Sequence, residues 1–127
     1  MFSHVTIGIT DFDRASAFYD PVMAALGHGR FHSGEGFCAY GDMGGSQFWI
    51  LPPHDKLPSS VGNGSHTAFL APDRAAVRAF HAAALANGGS DEGQPGLRPH
   101  YHANYYGAYV RDPDDNKIQA VCHRAED

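Results

Sequence analysis

The sequence contains one pattern twice, and this internal repeat is the feature that most constrains its fold. Each copy opens with a histidine at the start of a short apolar run. An aspartate, an aromatic residue within a helix-like stretch and a closing glycine then follow. Equivalent landmarks are always 62 positions apart: His4 and His66, Asp11 and Asp73, Phe18 and Phe80, Gly27 and Gly89. A duplicated unit predicts two similar modules. A metal-capable side chain at the start of each suggests two half-sites that are brought together.

Composition limits the class of protein. The chain has 127 residues, 43% hydrophobic and 18% charged, which is typical of one globular domain over residues 1–127. A net charge of −5 without a lysine and arginine cluster argues against a nucleic-acid surface. No apolar run approaches the roughly 20 residues of a membrane span, and two cysteines do not make a disulfide framework. We therefore expect a cytoplasmic protein without nucleic-acid or membrane partners.

The first copy predicts the element order β-α-β-β-β. Residues 5–9 are rich in β-branched side chains, which indicates a strand. Apolar residues at spacings of three and four then predict a helix, whose first turn can be capped by Asp11 or Asp13. Pro21 predicts a break or kink in this helix, and Gly27 predicts its end. Three short strands are expected around residues 31–32, 37–40 and 47–51, between glycine-rich turns.

The second copy predicts the same order. The expected elements are a strand at residues 67–71, a helix at 75–86, a weak strand within 90–99, and strands at 105–111 and 117–123. Asp112-Pro113-Asp114-Asp115-Asn116 is a strong signal for a tight turn between the last two strands. The sequence therefore predicts an α+β domain with modules at about 1–56 and 63–123, joined by a linker rich in proline, glycine and serine.

Four landmarks in this order are similar to a known family. They are His4 on the first strand, residues 11–19 after it, His66 at the start of the second module, and the run Tyr109-Val110-Arg111-Asp112-Pro113-Asp114-Asp115-Asn116-Lys117-Ile118-Gln119. That run resembles the signature V-x-D-P-D-G-N-x-I-E of the glyoxalase, bleomycin-resistance and extradiol-dioxygenase superfamily, the vicinal oxygen chelate fold. The resemblance implies two tandem βαβββ modules whose mixed sheets form a cup-shaped half-barrel with the helices outside. It also implies a homodimer.

The same resemblance places candidate metal ligands at His4, His66 and Gln119. Members of the family that hold a divalent ion such as Zn, Ni, Mn or Fe have a glutamate at the strand ends, where its charge balances the cation. Here position 119 is a glutamine, and residues 46–51 contain no acidic side chain. A metal is therefore expected to be weakly bound or absent. The alternative is that both histidines are neutral and form hydrogen bonds to Gln119, whose amide can both donate and accept.

A second cluster of candidate residues lies between residues 98 and 106. Polar aromatic side chains are dense there, and such side chains suit the recognition of a polar or aromatic small molecule. His100, His102 and Tyr106 are candidate catalytic residues, since a histidine exchanges protons near neutral pH. Arg98, Tyr105 and the single tryptophan, Trp49, are candidate pocket residues. The alternative is a loop held by tyrosine hydroxyls, with Tyr105 or Tyr106 packed into the core.

Two functions remain open from the sequence. The first is a glyoxalase-like lyase or isomerase that acts on a small oxygen-rich or thiol-conjugated molecule. The second is a metal-free small-molecule binding protein of the bleomycin-resistance type. The missing carboxylates favour the second function, and the histidines at the two strand starts favour the first.

Overall fold

The computed structural model describes residues 1–125 as two four-stranded mixed sheets with one helix each. The elements are β1 His4–Gly8, α1 Phe12–Ala25, β2 Arg30–Gly34, β3 Phe37–Gly41, β4 Gln47–Leu51, β5 Thr67–Leu70, α2 Arg74–Ala86, β6 Ser90–Leu97, β7 Tyr106–Arg111 and β8 Lys117–Cys122. Sheet A has the strand order β1-β4-β3-β2 and sheet B has the order β5-β8-β7-β6. Only the β1–β4 and β5–β8 pairs are parallel. The predicted α+β fold of two βαβββ modules is thus confirmed, and the strands do not close into a barrel.

Local sequence signals explain where the helices begin and end. The carboxylate of Asp11 accepts the Arg14 N–H at the start of α1, and Asp73 caps α2 in the same way. Gly27 follows α1 with a φ of 90°, a conformation that glycine adopts without steric cost. The predicted break at Pro21 is wrong, because α1 continues through it. The apolar side of α1 is buried in the core, and this burial outweighs the one backbone hydrogen bond that a proline removes.

Alternating side chains give each sheet a face that packs on the helices and an opposite face. Phe48 and Ile50 of β4 lie in the core, together with Ile118 and Ala120 of β8. The core is continuous between the modules, since α1 packs on α2 and the rings of Phe48 and Phe69 lie 4.9 Å apart. No helix in the described part of the chain is long and apolar enough to cross a membrane.

The turn between β7 and β8 ties the two modules together. Asp112 is buried, and its carboxylate accepts the Tyr19 hydroxyl of α1 at 2.6 Å. The same carboxylate accepts the backbone N–H groups of Asp114 and Asn116 at 2.8 and 2.9 Å. The Asn116 amide donates to the carbonyl of Gly8 on β1 at 3.0 Å. Burial raises the pKa of Asp112, and the hydrogen bonds from Tyr19 and Asn116 oppose that rise. We call residues 112–116 the inter-module turn.

A surface ion pair joins α1 to the strands of its own module and provides a pH-dependent prediction. Asp20 accepts two hydrogen bonds from the Arg30 guanidinium at 2.8 and 2.7 Å and one from the Tyr40 hydroxyl at 2.7 Å. The Arg30 hydrogen bonds, and then that of Tyr40, hold the pKa of Asp20 below its ordinary value of 3.8. A carboxyl group with a lowered pKa in the folded state contributes stability above its ordinary pKa, and that contribution is lost as the pH falls through the folded pKa.

Asp20→Asn is therefore expected to destabilise the protein at neutral pH by about 1 kcal/mol or less, because the Asp20 side chain is 46% exposed and solvent screens the pair. Urea unfolding of both proteins at several pH values measures this difference. The difference should shrink below pH 3.8. A difference that stays constant down to strongly acidic pH would contradict the assignment to the ionised carboxylate.

Candidate ligand site

Two sheet faces opposite the helices hold the predicted metal ligands and Trp49 and Arg98. The module-1 face is formed by His4, Thr6, His32, Phe37 and Trp49 of sheet A. Its centre is Trp49, whose ring lies 6.4 Å from that of His4, 5.7 Å from that of His32 and 6.2 Å from that of Phe37. The module-2 face of sheet B is formed by His66, Arg98, Tyr109, Lys117 and Gln119. An aromatic wall and a polar, basic wall thus come from the two modules.

The register shows which residue of module 1 corresponds to Gln119. In sheet A, the residue two positions after His4 is Thr6, and it pairs with Trp49. In sheet B, the residue two positions after His66 is Ala68, and it pairs with Gln119. Trp49 and Gln119 are therefore equivalent, and each occupies the strand-end position at which the resemblance expects a carboxylate. An indole stands at one of these positions and a neutral amide at the other.

Both polar groups of the Gln119 side chain are engaged in hydrogen bonds. Its carbonyl oxygen lies 3.2 Å from His66 Nε2 and its amide nitrogen donates to the Tyr105 hydroxyl at 2.5 Å. Gln119 is 1% exposed, so a missing partner would leave a buried polar group unsatisfied. Gly107 makes room for this network, since a Cβ at that position would lie 3.2 Å from the Gln119 amide nitrogen and 3.4 Å from the Tyr105 ring.

The two histidines at the strand starts have different partners. His66 is bonded to Gln119, as the alternative without a cation expects. His4 has no such bond, and its Nδ1 lies 2.8 Å from the Ser3 hydroxyl. Among residues 1–125, no hydrogen bond, ion pair or ring contact joins the module-1 face to the module-2 face. Among the described residues, none of these contacts therefore links His4 to His66.

The donor set does not fit a divalent metal ion. Because the Gln119 oxygen can only accept, the His66 Nε2 in this hydrogen bond carries a proton and is not a free ligand nitrogen. Trp49 offers no ligand atom, and neither strand-end position supplies a negative charge. Within residues 1–125, no group of three or more histidine, cysteine, aspartate or glutamate side chains is arranged to hold a metal.

The predicted catalytic residues occupy three different environments. His100 is exposed and lines a cavity of about 380 Å³ beside the module-2 face. His102 Nδ1 accepts the Asn104 N–H at 3.1 Å, so its Nε2 carries the proton and donates to His123 Nδ1 at 2.8 Å. The basic nitrogen of His102 is thus occupied by the backbone. Tyr106 lies on the helix side of sheet B, where the guanidinium groups of two arginines of α2 stack on its ring, and it is not brought to the other candidates.

The predicted pocket residues lie at the sheet faces. Trp49 is half-buried in the module-1 face, and Tyr105 is half-buried beside Gln119. Arg98 lines the same cavity as His100. Sequence reasoning missed Tyr109 and Lys117, which line this cavity as well. The alternation of side chains along a strand could have identified both. Lys117 lies two residues before Gln119 on β8, and Tyr109 pairs with Gln119 from β7, so all three side chains lie on the same side of the sheet.

Three cavities border the two faces. A mostly apolar cavity of about 430 Å³ is lined by His4 together with residues 67–70 of β5. A second cavity of about 430 Å³ lies between β1 and residues 60–67 and includes His66. The third is the cavity of about 380 Å³ at His66 and Arg98. None of the three is lined by both His4 and His66, although the second is lined by Thr6 of the module-1 face together with His66 and Lys117 of the module-2 face.

Comparisons with known proteins agree with this architecture. The model of the Glyoxalase/Bleomycin resistance protein/Dioxygenase superfamily matches residues 1–120. A glyoxalase/bleomycin resistance protein from Albidiferax ferrireducens is 38% identical, with a TM-score of 0.88 over 98% of this chain and 99% of that one. A family enzyme from Burkholderia phytofirmans is 23% identical, with a TM-score of 0.72 over 96% and 98% of the two chains.

A lactoylglutathione lyase from Agrobacterium tumefaciens is 19% identical, with a TM-score of 0.65 over 96% of this chain and 92% of that one. At 19% and 23% identity, the similarity to these last two structures shows a shared fold and no more. No functionally curated protein matches the sequence.

Proposed function

Because the chain belongs to the glyoxalase/bleomycin resistance protein/dioxygenase superfamily, we propose that it is a metal-free small-molecule binding protein whose ligand lies between a module-1 face and a module-2 face. This proposal depends on which residues, Trp49 and Gln119, occupy the two positions where the family resemblance expects carboxylates. Trp49 offers a flat ring for stacking, and Gln119 is held by hydrogen bonds to His66 and Tyr105, without a carboxylate among the three. Such a pair suits the binding of a small organic molecule better than the binding of a cation.

The test of the metal-free proposal is the metal content of protein purified without a histidine tag, measured beside a Gln119→Glu variant. Wild-type protein is expected to lack stoichiometric metal. A stoichiometric ion that is lost in His4→Ala would overturn the proposal, because His4 would then be a metal ligand.

The proposal includes a homodimer in which each ligand site takes one face from each copy. β1 and β5 are edge strands, each paired on one side only. Leu70 on β5 is 70% exposed and Phe2, just before β1, is 80% exposed. Both line the apolar cavity of about 430 Å³ that also holds His4. Unpaired edges flanked by exposed apolar side chains are typical of a surface that a partner covers. A second copy would bring a further module-1 face to the module-2 face, whose His66 shares no cavity with His4 of its own chain.

Leu70→Asp is expected to convert the dimer into a monomer without unfolding it, because an aspartate at a buried interface would lose its hydration. Sedimentation velocity measures the association, and circular dichroism confirms that the variant is folded. Leu57→Asp is the matched control, since Leu57 is 64% exposed in the linker. A Leu70→Asp protein that remains dimeric, or a monomeric wild type, would contradict the shared site.

A lyase or isomerase is the second candidate function, and the position of His100 favours it. Its side chain lines the same cavity as His66, where an acid or base could meet an oxygen-rich or thiol-conjugated ligand. The layer of His66, Gln119 and Tyr105 could then stabilise a developing enolate by hydrogen bonding alone. Turnover of a thiol-conjugated carbonyl compound by metal-free protein, lost in His100→Gln, would favour this candidate over simple binding.

Both candidates are compatible with action in the cytoplasm. Cys38 and Cys122 are free and buried, as expected of a protein in a reducing compartment.

A further inference from the structure

The cavity of about 380 Å³ at the module-2 face has an unusual balance of charge. Arg98, Lys117, His66 and His100 line it, and Glu92 is its single acidic lining residue. That carboxylate is already engaged, since Glu92 accepts a hydrogen bond from Arg111 at 2.7 Å. The chain as a whole carries a net charge of −5. A basic cavity in an acidic protein is therefore a local feature that the overall composition does not explain.

The two permanent cations of the cavity are placed around one aromatic ring. The Lys117 ammonium lies 5.1 Å from the centre of the Tyr109 ring, and the Arg98 guanidinium lies 5.8 Å from the same centre. Within residues 1–125, neither cation forms an ion pair with a carboxylate. Their charges are held in place by the tyrosine but are not neutralised.

Arg98 is oriented before any ligand arrives. Its guanidinium donates to the backbone carbonyls of Gly96 and Gln94 at 2.9 and 2.8 Å, and it is half-buried. A guanidinium has five N–H donors, so several remain available in a fixed plane. Preorganised donors of this kind lose little conformational entropy when they bind an oxyanion.

The Tyr109 phenol does not compete for these cations. Burial, and then the hydrogen bond with Tyr105, raise the pKa of Tyr109 above its ordinary value. Its phenol therefore stays neutral at physiological pH. Because this phenol carries no negative charge, the positive charges of Arg98 and Lys117 can attract an external anion.

We propose that Arg98 and Lys117 form an oxyanion subsite at Tyr109, so that the ligand of this protein is a small organic anion that bears a carboxylate or a phosphoryl group. This inference rests on the proposed function, because the body of the ligand would lie against the aromatic module-1 face of the partner copy. The subsite itself belongs to sheet B of one chain.

Three probes with the same ring test the subsite: benzoate, phenylphosphonate and neutral benzamide. Each is titrated into wild-type protein while the backbone amide signals of Gly93, Tyr109 and Lys117 are followed by NMR. At least one anion is expected to bind about tenfold more tightly than benzamide, and its affinity should fall as the salt concentration rises. The tighter of the two anions identifies a carboxylate or a phosphoryl ligand. Equal binding of benzamide, or no binding of either anion, would overturn the subsite.

Substitutions then assign the charge to its residues. Lys117→Met and Arg98→Gln are each expected to weaken anion binding about tenfold, and Lys117→Arg should restore most of it. Lys56→Met is the matched control, because it removes the same net charge in the linker and should leave binding unchanged. An equal loss in Lys56→Met would mean that only net charge matters, which contradicts the subsite. Failure of the proposed function would appear separately, as a monomer in sedimentation or as stoichiometric metal.

Discussion

Asp112→Ala is expected to destabilise the protein by about 3–5 kcal/mol, which would be one of the largest effects of any single substitution in this chain. The Asp112 carboxylate accepts hydrogen bonds from Tyr19, from two backbone N–H groups of its own turn and from the Asn116 amide. Removal of the carboxylate would leave the Tyr19 hydroxyl buried without its acceptor. It would also loosen Asn116, which holds the Gly8 carbonyl of the other module.

Urea unfolding at neutral pH measures this loss, with Glu35→Ala as the control. Glu35 is exposed in the turn between β2 and β3, so its removal should change the free energy of unfolding by less than about 0.5 kcal/mol. Tyr19→Phe isolates the contact between modules, because it removes one hydroxyl and keeps the ring. It should cost about 1–3 kcal/mol. If Asp112→Ala is costly and Tyr19→Phe is neutral, the aspartate stabilises only its own turn and does not join the modules.

Gln119→Glu is expected to create a metal site, with an affinity for Ni²⁺ or Zn²⁺ at least about a hundredfold higher than that of the wild type. A carboxylate at this position would face His66 Nε2 and supply the missing negative charge. The Gln119 amide now donates to the Tyr105 hydroxyl, whereas a carboxylate only accepts, so the hydroxyl would become the donor of this hydrogen bond. In the proposed dimer, His4 of the second copy would complete the ligand set.

Isothermal titration of untagged protein measures the affinity, and thermal unfolding with and without Ni²⁺ checks it. The stability of Gln119→Glu should rise when metal is added, and that of the wild type should not. Gln94→Glu is the matched control, since it adds the same charge on an exposed part of β6.

A second variant, Gln119→Glu with His4→Ala, tests the shared site. Metal bound equally well without His4 would show that the module-1 face takes no part. No gain in Gln119→Glu would mean that position 119 does not border a ligand site.

The element order was predictable because it depends on local signals. The caps at Asp11 and Asp73 and the turn at 112–116 each depend on a few neighbouring residues, and the structure contains all of them. The repeat predicts that the second module has the same order of elements as the first, and it does. Pro21 was the exception. A proline disfavours a helix interior locally, but the apolar side of α1 is buried in the core and the helix persists. Burial of a whole helix face cannot be judged from one residue and its neighbours.

The candidate site was only partly predictable, because contact across strands depends on register. The sequence shows that no acidic residue lies in segment 46–51, but the register decides that Trp49 is the counterpart of Gln119. Tyr105 and Tyr106 are adjacent in the chain and have opposite positions in the structure. Tyr105 bonds to Gln119, and Tyr106 packs under the arginines of α2. A shift of one residue in a strand exchanges its two faces, and nothing in the local sequence at 98–106 decides that shift.

The sequence by itself determined that two similar modules exist, that each begins with a histidine, and that neither ends with a carboxylate. These conclusions depend only on which residues are present and on how far apart they lie in the chain. Only the tertiary structure decided what the histidines contact. His66 reaches Gln119 within its own sheet, and His4 stays with Ser3 and Trp49 on the other sheet. The physical reason is that the two modules are joined by packing of α1 on α2 and by one shared core, whereas each histidine takes its partners from its own end of the chain fold: His66 from β8, and His4 from Ser3 and the ring of Trp49.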